Sequence, residues 1–267
     1  MKRKPTVAGS FYPNNPNALM KNLRSQLPQN TQKQAVIGVV CPHAGFLYSG
    51  TVAGAVYASI EIPKTIILIG PNHTGTGPPI SVMSKGQWEM PQGPVEIDTT
   101  LANDILESSP DLEDDFIAHC REHSLETQIP FLQYFRQDFK IVPICIQKIS
   151  LNQCQTISRA ILSGMKKLKQ KVLIVASSDM SHYESYETVS RKDKLAITRI
   201  LDRDPKALFE IVDTNRISMC GLIPTTVMLM TANELGAKYS KLIHYTTSGE
   251  VTRDMDRVVG YAGIIIY

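Results

Sequence analysis

An α/β fold with a largely parallel central sheet flanked by helices is what this sequence predicts, and two patterns carry the prediction. Short runs rich in Val, Ile and Leu recur between segments of helical length. Those runs are nearly continuous in apolar residues instead of alternating with polar ones, which suits strands covered on both faces. Length adds a third observation. The chain has 267 residues, enough for a sizeable core. No Pro/Gly/Ser linker or charge run interrupts the alternation, so residues 1–267 read as a single domain.

Taken in order, the predicted strands are 35–41, 65–70, 139–146, 172–177, 242–247 and 258–266. Segments 51–60, 98–107, 151–168, 186–201, 204–212 and 224–235 read as helices. Asp204 as N-cap with Pro205 at the first helical position is the clearest start signal. Between Gly70 and Pro94, seven prolines and glycines precede Trp88 and three follow it. That excursion is long enough for a short hairpin, and such loops usually cover a site. The basic cluster Lys166-Lys167-Leu168-Lys169 falls at a helix C-terminus, where cations complement the dipole and a solvated face accounts for them.

Composition excludes several functions. A formal charge of +3, with no basic run longer than residues 1–4, leaves no electrostatic footprint for a nucleic-acid partner. The basic start meets Pro5, Pro13 and Pro16 before any apolar stretch forms, so no signal peptide is expected. The longest apolar stretches, such as 65–70 and 260–267, fall short of the roughly 18 residues of a membrane span. Five cysteines lack the short spacing of a disulfide framework, which points to a reducing compartment, the cytoplasm, with at least one free thiol.

The chemistry is announced by position. Three of the six histidines, His43, His73 and His182, lie just beyond the ends of three predicted strands, in VVCPHAG, IILIGPNHTG and LIVASSDMSH. Ligands of open parallel sheets bind in the crevice outside the carboxyl ends of the strands, so three imidazoles delivered there converge. Two neutral imidazoles and one anionic donor, with positions left open, form the facial triad of non-haem Fe(II) oxygenases. Three residues compete as the anionic donor: Asp179, Glu126 and Cys220. Pro224 is tolerated only in a first helical turn, which places a helix start near Cys220, and a helix N-terminus promotes the thiolate. Cys41, Cys145 and Cys154 sit in apolar patterns and read as small buried hydrophobes. GPNHTG lacks the Lys-Ser/Thr pair of a phosphate loop, which excludes nucleotide binding there. His119 reads as a loop or helix-start residue and His244 as a sheet histidine without a catalytic role. His123 and Glu126 read as a helix start, with Pro130 kinking the helix beyond them.

AGSFYP, PHAGFLYSG, GPNHTG, EHSLETQIPFLQ, SSDMSHY and Cys220-Gly221, in this order from Val7 to Ile265, resemble the Memo family. The resemblance implies the fold of the LigB-type class III extradiol dioxygenases, with a metal pocket at the edge of the sheet. It places His43, His73 and Cys220 at the metal and His182 at the position of a catalytic acid/base, with Asp179, Tyr48, Phe11 and Asn72 lining the pocket. His123 and Glu126 belong to the matching motif, so the resemblance implies that they orient a ligand, and they are carried with the substrate-binding residues. Where the dioxygenases have a glutamate ligand this chain has a cysteine, which opens the choice of a single divalent ion: Fe(II) first, with copper or zinc as alternatives.

Two functions compete. One is a metal-dependent oxidoreductase acting on a chelating, phenolic small molecule, with His182 moving protons. The other, also implied by the resemblance, is a binding module that receives a phosphotyrosine-type peptide in the same pocket. No arginine stands in the pocket motifs to clamp a phosphate, and only Arg121 and Arg253 lie on loops that approach it. Zinc-dependent hydrolysis keeps the ligands and changes the ion. The resemblance further suggests a radical-SAM protein and an AMMECR-type protein as partners in microbes.

Overall fold

The computed structural model describes residues 1–168 and 170–267; Lys169 of the basic cluster lies outside the described residues. The chain opens with β1 (Lys2–Arg3) and α1 (Pro16–Gln26), then enters the core through β2 (Gly38–Cys41), α2 (Phe46–Ala58) and β3 (Thr65–Pro71). The excursion follows as β4 (Ile80–Val82), β5 (Gln87–Trp88) and β6 (Val95–Ile97), and α3 (Thr99–Glu107), β7 (Glu113–Asp114) and α4 (Ile117–Cys120) come next. A single 3-10 turn (Glu126–Gln128) leads into α5 (Ile129–Phe135), β8 (Lys140–Ile146), α6 (Leu151–Met165) and β9 (Val172–Ser177). The last third holds β10 (His182–Glu184), α7 (Tyr186–Leu201), α8 (Pro205–Thr214), α9 (Leu222–Glu234), β11 (Ser240–Thr247), α10 (Gly249–Thr252) and β12 (Val258–Ile266).

The six predicted strands are β2, β3, β8, β9, β11 and β12, and they form the heart of one sheet ordered β1-β5-β6-β8-β3-β9-β2-β12-β10. Parallel pairing joins β8, β3, β9 and β2. Every residue of β2, β3 and β9 is buried, as the continuous apolar runs require of strands covered on both faces. The parallel core is flanked on one side by an antiparallel extension, because β12 runs against β2 and carries both β11 and β10. The excursion forms the hairpin its turn residues permit, with β5 antiparallel to β6, while β4 adds to β8.

Local signals set the helix starts. Asp204 caps α8 by accepting from the Ala207 amide, with Pro205 in the first turn. Ser150 and Gln153 close a reciprocal capping box on α6. Two expectations change, the start of α2 and the role of Pro130. Helix α2 begins at Phe46, ahead of the predicted start at 51, and α1 carries too short an apolar face to be read from sequence. Pro130 does not kink a helix; it sits in the first turn of α5, where its missing N–H costs nothing. His244 stands exposed on β11, beside an irregularity of register between Leu242 and His244. No helix among the described residues is long and apolar enough to cross a membrane.

Candidate metal centre

The strand order puts the site together. β9 lies between β3 and β2, so the loops leaving these three parallel strands open on one crevice: His73 follows β3, His43 follows β2, and Asp179 and His182 follow β9. A fourth segment, between α4 and the 3-10 turn, approaches from the side and brings His123. One donor atom from each of His43, His73 and His123 lies within 4.8 Å of the others. The His73 and His123 rings stack at 4.8 Å, and His43 meets each of them edge-on at 5.2 and 5.5 Å.

Hydrogen bonds decide which ring nitrogens face the cluster. Ser177 Oγ gives its proton to the Ser124 carbonyl oxygen at 2.6 Å, so at 2.8 Å it accepts from His43 Nδ1–H. Gln128 Nε2 donates to the same hydroxyl and to the Pro42 carbonyl, and Gln128 Oε1 accepts from Tyr57. His43 Nε2 therefore carries the ring's lone pair, which faces Cys220 Sγ. Burial and the neighbouring His123 and His73 hold His43 well below its usual pKa, which keeps the ring neutral. The Nδ1 of His73 lies 3.0 Å from Glu122 Oε1, which leaves its Nε2 for a ligand. Glu122 is almost wholly buried and also accepts from the backbone N–H groups of His73, His123 and Ser124. Burial opposes its ionisation, but the His73 hydrogen bond and charge outweigh it and hold the carboxyl at about 2. A carboxylate behind a histidine in this way fixes the ring and raises its basicity as a ligand. These donors are preset with lone pairs inward, which suits one divalent ion.

Cys220 reaches the cluster from the start of α9. Its Sγ lies 3.2 Å from His43 Nε2 and accepts from the Asp179 amide at 3.3 Å. Gly221 makes the approach possible: a Cβ there would stand 2.3 Å from Ser178 Cβ and 2.4 Å from the Ser177 oxygen. The expected thiolate-promoting environment is corrected, since burial first and the Asp179 carboxylate second push this thiol above its ordinary range. Asp179, buried, accepts from the His43 amide at 2.8 Å and keeps Oδ2 4.0 Å from His43 Nε2; burial raises its pKa.

The other sequence-derived residues divide. Phe11 packs edge-on against His123 at 5.1 Å, and Tyr48 is 36% exposed in the first turn of α2. His182 gives Nδ1–H to the Ser218 carbonyl oxygen at 2.9 Å, the role that acceptor imposes, so in the neutral ring the lone pair sits on Nε2. Two residues expected at the substrate are occupied elsewhere. Asn72 builds its own loop, accepting from the Thr74 and Gly75 amides and donating to the Thr76 carbonyl. Glu126 is fully buried and holds the amino-terminal segment, through an ion pair with Arg3 and bonds from the Thr6 and Val7 amides and the Tyr12 hydroxyl. Arg3 also donates to the His119 and Glu122 carbonyls and stacks on Trp88 at 4.1 Å. Sequence reasoning missed Glu122, Ser177, Gln128 and Arg3. An acid immediately before His123 is the one local signal that points to Glu122.

Known proteins bear on these residues together. The family model described as Memo-like protein matches residues 3–265. A MEMO1 family protein of Pyrobaculum aerophilum is 39% identical over 99% of both chains. Those of Methanopyrus kandleri and Methanosarcina barkeri are 37% and 41% identical, again over 99% of each chain. The strand-end histidines and the cysteine before α9 therefore stand in a chain that belongs to the Memo-like family.

Proposed function

We propose that the chain is a metal-dependent oxidoreductase that binds one divalent ion, Fe(II) in the first instance, and a chelating small molecule at the strand-end cluster. The observation that supports this best is the preset of the donors: Ser177 and Glu122 each hold the outer nitrogen of a histidine, so that lone pairs point inward. His43 and His73 are the constant ligands, and Cys220 and His123 flank them as the remaining donors. The bound ion supplies a Lewis-acid site for the chelating atoms of a phenolic ligand and a redox path to dioxygen.

The protein's own groups do the rest. His182, with Nδ1–H committed to Ser218, takes a proton from the ligand hydroxyl on Nε2. Asp179, kept above its ordinary range by burial, sits beside it as a second proton carrier. Phe11 and Tyr48 bound the space where a planar ligand lies, and the loop from Gly70 to Pro94 limits water. Anaerobic reconstitution with Fe(II) followed by oxygen uptake on a panel of catechols tests the reading. Uptake that vanishes in His182→Ala while metal stays bound supports it; no uptake with any metal contradicts it.

A second reading has its own support. Three imidazoles within reach of one another form the donor set of hydrolytic zinc. Zinc-dependent hydrolysis of ester substrates with no dioxygen consumption favours it over the first.

A further inference from the structure

A buried chain of hydrogen bonds runs from the His43 ring into the core, and its partners allow each link only one sense. The Ser177 hydroxyl meets the Ser124 carbonyl oxygen at 2.6 Å, Gln128 Nε2 at 3.0 Å and His43 Nδ1 at 2.8 Å. A hydroxyl has one proton to give and two lone pairs to fill. The carbonyl can only accept, so the proton goes to Ser124. The end of the Gln128 amide that faces Ser177 also lies 2.9 Å from the Pro42 carbonyl oxygen, a second obligate acceptor, so this end is the NH2 group and donates to both. Its other end, Oε1, accepts from the Tyr57 hydroxyl at 2.8 Å. One lone pair of Ser177 remains, it faces His43, and Nδ1 is therefore the protonated nitrogen.

The chain ties together parts of the fold that are remote in sequence. Gln128 ends the 3-10 turn ahead of α5, Tyr57 lies in α2 and Ser177 closes β9, and the Tyr57 and Gln128 side chains meet across 71 residues of sequence. Tyr57, Ser124, Gln128 and Ser177 are all fully buried, so they share their protons with one another and not with solvent. Gln128 stands at the N-cap of α5, yet its side chain makes no cap bond there. Packing alone would be served by an apolar side chain of similar length, whereas an amide at this depth is costly unless both ends are bonded.

We propose that Gln128 is a positioning residue that sets the tautomer of His43: it pins the Ser177 hydroxyl against the Ser124 oxygen, so that the ring carries its proton on Nδ1 and offers the Nε2 lone pair to an ion. The proposal rests on the metal reading above and deepens it, because the nitrogen that binds a metal is set by the hydrogen bond of the other one. Without the amide, Ser177 is free to turn its proton towards Nδ1, which moves the ring proton to Nε2, the atom the ion needs.

Long-range proton–nitrogen NMR spectra of metal-free protein with labelled histidine read which ring nitrogen carries the proton, and His43→Ala identifies the signals of His43. Wild type is expected to show His43 protonated at Nδ1 alone. Gln128→Met keeps the length and deletes both ends of the amide; it is expected to show both tautomers, with zinc affinity in a competition titration lower by about tenfold. A merely structural role for Gln128 lowers the Tm and leaves the tautomer and the zinc affinity of the folded variant unchanged, which overturns the proposal. The wild-type spectrum is decisive without any variant, since His43 protonated at Nε2 overturns the proposal by itself. A wild type that shows Nδ1–H, loses that pattern in Gln128→Met and takes up no zinc contradicts the metal reading and supports the positioning of His43.

Discussion

Ser177 and Glu122 decide more about this site than their distance from any substrate suggests, because each fixes the proton of a histidine. Glu122→Gln keeps the shape and removes the charge behind His73; divalent-metal affinity should fall by about 10–100-fold in a competition titration. The same pair sets a pH signature in the metal-free protein. Glu122 titrates at about 2 in the fold, below its ordinary value, so its stabilisation is present above the unfolded carboxyl range and is lost as pH falls from about 4.5 towards 2. His73, although burial opposes its charge, is raised by Glu122, so its part is present below the unfolded imidazole value and is lost as pH rises through the raised one. Both shifts describe one interaction, on the order of 3 kcal/mol, and thermal melts between pH 2 and 8 should show an acid limb that Glu122→Gln flattens. An unchanged acid limb would count against the pairing. His43, His73 and His182 are legible from sequence because each follows an apolar run that ends in a turn. Glu122 is not, because the ring it holds lies 49 residues away.

At the scale of elements, three close approaches assemble the crevice. Helix α9 meets the end of β9 only where Gly221 has no Cβ. Gly221→Ala should cost about 1–3 kcal/mol by denaturant unfolding and displace Cys220. Gly70, at the end of β3, similarly admits the loop that bears His123: a Cβ would stand 2.6 Å from Leu125 Cδ2 and 2.7 Å from Ser124 Oγ. The third is the latch between Arg3 and Glu126, wholly buried on both sides. Arg3→Met leaves the Glu126 carboxylate buried without its cation, so stability should drop by about 3–5 kcal/mol in urea titrations; a loss within experimental error would show that Glu126 is satisfied by the amides alone. None of these approaches is visible in the sequence. Gly221 and Gly70 look like ordinary turn residues, and Arg3 finds its partners 116 to 123 residues along the chain. Helix starts are another matter: Ser150, Asp204 and Pro205 act within one turn, and local chemistry suffices to read them.

Across the whole molecule, the parallel core follows from the unbroken apolar runs, but its antiparallel flank does not. A run such as Val258–Ile266 is equally apolar in either direction, and only the return past β10 and β11 fixes its sense. All five cysteines are free thiols. Cys41, Cys145 and Cys154 are buried, so a thiol reagent should reach Cys120 first in the native protein and the buried three only on unfolding, with a Tm indifferent to reductant. Protection of Cys120 or a reductant-sensitive Tm would contradict that assignment. The resemblance read from the motifs names His43, His73 and Cys220 as ligands, whereas the geometry gathers His43, His73 and His123 and leaves Cys220 at the edge. Both sets share His43 and His73, the residues on which the proposed metal centre rests. Metal content per chain, measured by elemental analysis of protein reconstituted under anaerobic conditions, tests this most directly. One ion is predicted in the wild type, with its loss in His73→Ala at retained fold; equal metal content in the two proteins would contradict a metal centre at the strand ends.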